Sequence, residues 1–253
     1  MFGIFTDDDM DIYDIPNERP LTAMDKLIAG ENQSTSAPKP APRPRPRPRP
    51  SLRSKPAPKS APTGDIPTTS PKPEAAPRQP IRRPKVKTVG SSMVANQEKH
   101  QRARGLDAKA HAHSGENAQQ IQARIIQETS ADDEYIVLAG GTNNVPRDYV
   151  IDIIRHVGNL IDHTRDVRPT QHIIIPQLLH RYDNKYWVVN NEKINRVNSF
   201  LRHRCKRDSR MHFLPLDMIS RDDLYDDLHL DYGGKDKYAE AVTELVFNLE
   251  RSE

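Results

Sequence analysis

Tyr135-Ile136-Val137-Leu138-Ala139-Gly140-Gly141-Thr142-Asn143-Asn144 is a short apolar run closed by two glycines and three polar residues. A continuous run of this length, bounded by glycine, reads as a strand buried on both faces that passes into a turn. The next segment has a different period. Tyr149 to His163 carries Val150, Ile153, Ile154, Val157, Leu160 and Ile161 at helical spacing, one apolar stripe of an amphipathic helix. Strand, turn and covering helix form the repeating unit of a parallel sheet.

The same unit recurs on either side. Val86 to Val89 is an apolar run ending at Gly90, and His172 to Pro176 and Met211 to Leu216 are two more strands. Leu106 to His113 alternates small apolar and polar residues, which suits an edge strand. Helical spacing marks Glu116 to Glu128, Glu192 to Arg204 and Tyr238 to Leu249, and Gln97 to Arg104 is helical or irregular. Strands alternating with helices imply right-handed crossovers. The expected fold class is therefore α/β, a flavodoxin-like three-layer parallel sheet with helices on both faces. In such sheets ligands bind outside the carboxyl ends of the strands.

This pattern occupies only part of the 253 residues. Residues 38 to 84 hold 16 of the 22 prolines and almost no large apolar side chains. Such a stretch buries too little surface to offset its ordering entropy. Three regions are expected: an acidic, disordered segment over 1–37, a disordered Pro/Arg-rich linker over 38–84, and a folded domain over 85–253. The net charge of +3 conceals a division into −6 for residues 1–38, +12 for 39–87 and −3 for the remainder. The basic character belongs to the linker, where Arg43, Arg45, Arg47 and Arg49 alternate with proline. An anionic partner, nucleic acid included, is expected there if anywhere.

Cys205 is the single cysteine, which excludes an internal disulfide and a thiolate metal cage. Met1 to Thr6 is followed by Asp7, Asp8 and Asp9, unlike a secretory leader, and no apolar run approaches the ~20 residues of a membrane span. The expected location is cytoplasmic.

Four blocks then stand out: Gly90-Ser91-Ser92-Met93, Ser114-Gly115, Gly141-Thr142-Asn143-Asn144 and Asp226-Asp227-Leu228-His229. Each comes after an expected strand. Ser92 is a nucleophile if a base reaches it, and otherwise a helix cap. Asp226, three residues before His229, can turn back onto the imidazole and hold it as that base. Asn143 through its side chain, and Gly115 and Ser92 through their amides, can donate to a developing oxyanion. Together these are the parts needed for acyl transfer, with no metal or cofactor required.

The four blocks, in this order, resemble those of the SGNH (GDSL-type) hydrolases. The resemblance covers about Lys85 to the carboxyl terminus. Val89 to Val94, Gly141 to Asn144 and Leu228 to Gly234 are most similar to the branch containing the platelet-activating-factor acetylhydrolase catalytic subunits; SGNH domains also occur in retrotransposon-encoded proteins. The resemblance implies the SGNH hydrolase fold, a catalytic Ser92–His229–Asp226 triad, and an oxyanion hole of Ser92, Gly115 and Asn143. It also implies a serine esterase of small acyl, acetyl-like esters. Ser91 departs from the pattern, since the family has Asp there to hold the nucleophile loop. A serine keeps hydrogen-bonding capacity but lacks the charge. The competing reading is a catalytically weak or inactive module of the same fold that binds nucleic acid or protein with help from the basic linker.

Three other groups are candidates of lower standing. His111 and His113 share one face of an edge strand and could bind metal, though the residues nearby in sequence offer no third ligand. Arg202, His203, Arg204, Lys206 and Arg207 crowd a helix end, where cations are favourable in any case. Tyr182, Tyr186 and Trp187 come after a strand end and could wall a pocket.

Overall fold

A computed structural model describes residues 82–252. The expectations for 1–37 and for 38–81 lie outside the described residues. Five strands form one sheet: β1 (Lys85–Ser91), β2 (Asp107–His113), β3 (Tyr135–Ala139), β4 (His172–Pro176) and β5 (Met211–Leu214). Their order is β2-β1-β3-β4-β5 and every pairing is parallel. The helices are α1 (Gln97–Ala103), α2 (Ala118–Glu128), α3 (Val150–Val167), α4 (Trp187–Cys205) and α5 (Tyr232–Glu250).

The sheet separates two apolar layers. Ile136, Leu138, Ile173 and Ile175 point one way, onto Ile121 and Ile125 of α2, Ile153 and Val157 of α3, and Ile194 and Val197 of α4. Tyr135, Val137 and Ile174 point the other way, onto Tyr238, Val242 and Val246 of α5. This is the period-2 alternation of a strand covered on both sides, which explains why the central strands read as unbroken apolar runs. Each fully buried aliphatic side chain contributes roughly 1.5–3 kcal/mol to this packing. Cys205, at the end of α4, belongs to the first layer, and burial pushes its thiol up to about 11.

β1 and β3 diverge to opposite neighbours, so the sheet order reverses between them. That switch point is where a crevice opens at the strand ends. Close approach there is possible only because of glycine. A Cβ on Gly90 would lie 2.6 Å from the Ala139 carbonyl oxygen and 2.7 Å from its Cβ.

Three boundaries differ from expectation by four residues or more. The fourth helix begins at Trp187, five residues before the apolar stripe that marks it. The last begins at Tyr232, capped by Asp231, whose carboxylate accepts from the Gly234 amide at 2.7 Å. The third continues to Val167 and not His163.

Candidate active site

All four blocks meet at the carboxyl ends of the strands, and each is held by a different device. Ser92 opens a 3-10 turn, Ser92–Val94, directly after β1. Met93 and Val94 are buried and Ser91 is 1% exposed, so packing fixes the turn. The Ser91 hydroxyl has no hydrogen-bond partner among the described residues. Its hydrogen-bonding capacity is thus not used among the described residues, where the side chain is enclosed.

His229, the candidate base, sits on a small hairpin. Leu224 and Leu230 form an isolated antiparallel bridge, and the Tyr225 amide donates to the His229 carbonyl at 3.0 Å. Within the turn, Asp226 Oδ1 accepts from the amides of Leu228 at 3.2 Å and His229 at 2.7 Å. This is the local bonding by which Asp favours turns. Its other oxygen, Oδ2, lies 2.7 Å from His229 Nδ1, and His229 Nε2 lies 2.9 Å from Ser92 Oγ. Burial pushes the Asp226 carboxyl up, but the His229 amide, the His229 ring and the Leu228 amide outweigh it and hold the group below the usual range. Ser92, His229 and Asp226 are therefore brought into one hydrogen-bonded chain.

Asp227, at the hairpin tip, has φ 64, the left-handed region that non-glycine residues rarely occupy. Polar ties keep it there. Arg221 reaches its two carboxylate oxygens at 2.8 and 3.1 Å, and the Tyr182 amide donates to its carbonyl at 2.8 Å. The Arg221 guanidinium also covers the Tyr182 ring at 4.9 Å.

Gly115 has φ 76, which suits glycine in the turn before α2. The helix it precedes is closed by a capping box between Asn117 and Gln120. Asn143 donates one side-chain hydrogen to the Glu116 carbonyl at 2.8 Å, which fixes its amide beside the Gly115 turn. An amide nitrogen carries two hydrogens, so one remains for another acceptor. Glu116 is itself drawn onto Arg124 by two hydrogen bonds to the guanidinium Nε, at 2.8 and 3.1 Å. Asn144 is structural. Its oxygen accepts from the Ala118 amide at 2.9 Å, and its nitrogen donates to Gln119 at 3.0 Å and Asp148 at 2.7 Å.

Sequence reasoning missed the residues that brace these blocks. Arg181 is 5% exposed, donates to the Thr142 carbonyl at 3.0 Å, and pairs with Asp183 at 2.8 and 2.7 Å. Arg181 thus secures the Asn143 block while its neighbour Tyr182 secures the His229 hairpin. The doublet Asp226-Asp227 hinted at this, since only one carboxylate is needed for the imidazole.

The lesser candidates find ordinary partners. His113 Nε2 lies 2.7 Å from the Glu128 carboxylate, with His111 Nδ1 3.9 Å from it. Among the described residues no group of three side chains is placed to hold a metal ion. In the basic cluster, Arg204 pairs with Asp162 at 2.5 Å and Arg202 lies over the Phe213 ring at 4.7 Å. Tyr182 lines a cavity of about 160 Å³ with Leu179, Leu216, Ile219 and Leu224, and packs on Trp187 at 5.5 Å. No described helix is long and apolar enough to cross a membrane.

No protein-family profile matches the chain, and no curated protein matches it in sequence. Solved structures do. A carbohydrate acetylesterase from Sinorhizobium meliloti is 12% identical, with a TM-score of 0.57 over 66% of this chain and 100% of that one. A GDSL-like lipase from Bacteroides thetaiotaomicron is 12% identical, with a TM-score of 0.55 over 65% and 88%. A family 3 carbohydrate esterase from Clostridium thermocellum is 17% identical, with a TM-score of 0.53 over 68% and 98%. Identities of this size speak for the backbone, and this backbone has the fold of the SGNH (GDSL-type) hydrolases.

Proposed function

We propose that the protein is a serine esterase acting on small acyl esters, with acetyl the acyl group it suits best. The observation that carries this reading is the unbroken chain from Ser92 Oγ through His229 to Asp226, at 2.9 and 2.7 Å. In the proposed reaction Ser92 Oγ attacks the ester carbonyl carbon while its proton passes to His229 Nε2. Asp226 holds Nδ1 and so fixes which nitrogen is free to accept. Negative charge grows on the carbonyl oxygen, toward the amides of Ser92 and Gly115 and the remaining hydrogen of Asn143. One such donor is worth about 3 kcal/mol of barrier. His229 then protonates the leaving alkoxide, and water, activated by the same imidazole, releases the acyl group.

The structural neighbours support a small acyl group. Among the structural relatives, one is a carbohydrate acetylesterase and another an acetyl esterase.

The test is labelling of the full chain with a fluorophosphonate probe, beside hydrolysis of p-nitrophenyl acetate. Both should occur in the parent protein and vanish in Ser92→Ala. Equal rates in the two folded proteins would sink the reading.

A further inference from the structure

The hairpin that bears His229 also carries a residue for which the triad has no use. Tyr225 stands directly across from His229, joined to it by the Tyr225 amide and His229 carbonyl, just inside the Leu224–Leu230 bridge. The two rings are stacked, with centroids 5.7 Å apart and planes 21° from parallel. Tyr225 is 66% exposed, so burial of its own surface does not account for its position. Facing residues across a two-stranded turn are the pairs whose side chains interact most directly.

We propose that Tyr225 is a positioning residue that caps the His229 imidazolium during acyl transfer. The proposal rests on the esterase reading. As Ser92 gives up its proton to it, His229 gains a positive charge. Asp226 meets that charge at Nδ1, in the plane of the ring. The electron-rich face of Tyr225 meets it from above, within the ~6 Å over which a ring attracts a cation. Asp227, the other carboxylate on the hairpin, is already taken by Arg221, and Asp223, just before the hairpin, by Lys237. Because the attraction to a neutral imidazole is much weaker, Tyr225 stabilises the charged transition state more than the resting complex. Such a contact raises kcat and leaves KM alone.

The experiment compares Tyr225→Phe and Tyr225→Leu in the full chain. Phenylalanine keeps the π face, so its kcat for p-nitrophenyl acetate should stay within about twofold of the parent. Leucine removes the face, and kcat should fall roughly fivefold to tenfold, with KM within about twofold. An unchanged kcat in Tyr225→Leu, or a rise in KM with kcat intact, overturns the cap. So does an equal loss in Tyr225→Phe, which would make the hydroxyl the acting group. The stack is also read without turnover: ring-current shielding should place the His229 ring protons upfield in the parent and release them in Tyr225→Leu, and identical shifts would overturn the proposal. Equal rates in Ser92→Ala and the parent would overturn the esterase reading and the cap with it. A Ser92-dependent rate unaffected by Tyr225→Leu overturns the cap alone.

Discussion

The turn bearing Ser92 and the hairpin bearing His229 are held in place by opposite means. Residues 90–94 are set by packing: Gly90 against the backbone of Ala139, and Met93 and Val94 in the core. Residues 225–229 lie outside the core, which only the hairpin's ends, Leu224 and Leu230, reach; the Asp226 and His229 side chains are 40% and 26% exposed, and the turn is set by hydrogen bonds and one ion pair. A packed segment tolerates almost no change of volume, but its own hold on the chain does not depend on pH or salt. A segment held by polar ties responds in the reverse way. The proposed esterase reaction would use both, a serine that stays fixed and an imidazole that passes its proton from a hydroxyl to a leaving alkoxide.

The strongest way to test that partnership is to remove each half. Ser92→Ala should cut kcat for p-nitrophenyl acetate by at least ~10³, and His229→Ala by a similar factor. The double variant should lose little more, because the two act as a unit. Additive losses would show that they do not.

The next largest effect should fall on the fold. Gly90→Ala places a methyl group against backbone that cannot yield, and about 3 kcal/mol of stability should be lost. Urea unfolding measures this. No comparable loss is expected from truncating the hairpin tip. Arg221→Ala should leave the urea midpoint in place while kcat falls ~3- to 10-fold, because a loosened base misses its geometry. If Arg221→Ala instead unfolds the domain, the hairpin is a structural element and the contrast is false.

Acid sharpens the contrast further. The folded Asp226 carboxyl is held below its unfolded value, so the stability it contributes is present above the ordinary carboxylate range. That contribution is lost as pH falls through the lowered folded value. The Leu228 amide resonance should therefore move below about pH 4 while those of Thr88 and Val89 stay put. Simultaneous movement would mean global unfolding.

The smallest effect should be at Ser91. Its hydroxyl is buried and has no partner among the described residues, so Ser91→Ala should leave the midpoint unchanged or raise it slightly. Ser91→Asp would bury a carboxylate in the same place and should lower it. A gain in both midpoint and kcat from Ser91→Asp would show that the turn accepts the family residue after all.

Sequence is legible where a single physical cause dominates. Strands buried on both faces declare themselves as apolar runs, so β3 and β4 have the bounds their runs imply. Glycine-closed strand ends locate the site, and the spacing of Asp226 and His229 fits one local turn. Sequence is silent where the cause is distant. The first turn of α4 is hidden because Trp187, Val188 and Val189 face outward, so no apolar stripe marks it. The start of α5 is hidden by Gly233 and Gly234. Gly234 is required there by the Asp223 carbonyl, 2.5 Å from where a Cβ would be, a neighbour that local sequence does not announce. Arg181 and Arg221 look like surface charges until the fold brings Thr142 and Asp227 to them. Ser91 looks like a hydrogen-bonding substitute for aspartate until its enclosure is seen.

Cys205 has a practical consequence for observing the hairpin. It is the only cysteine in the chain, is 6% exposed, and holds its proton well into the alkaline range. Thiol reagents at neutral pH attack thiolates, and this one is both protonated and covered. A cysteine introduced at exposed Asp222 would then be the sole site to accept a fluorophore or spin label. The native chain thus comes ready for single-site spectroscopy, with the hairpin that bears His229 readable against a silent background.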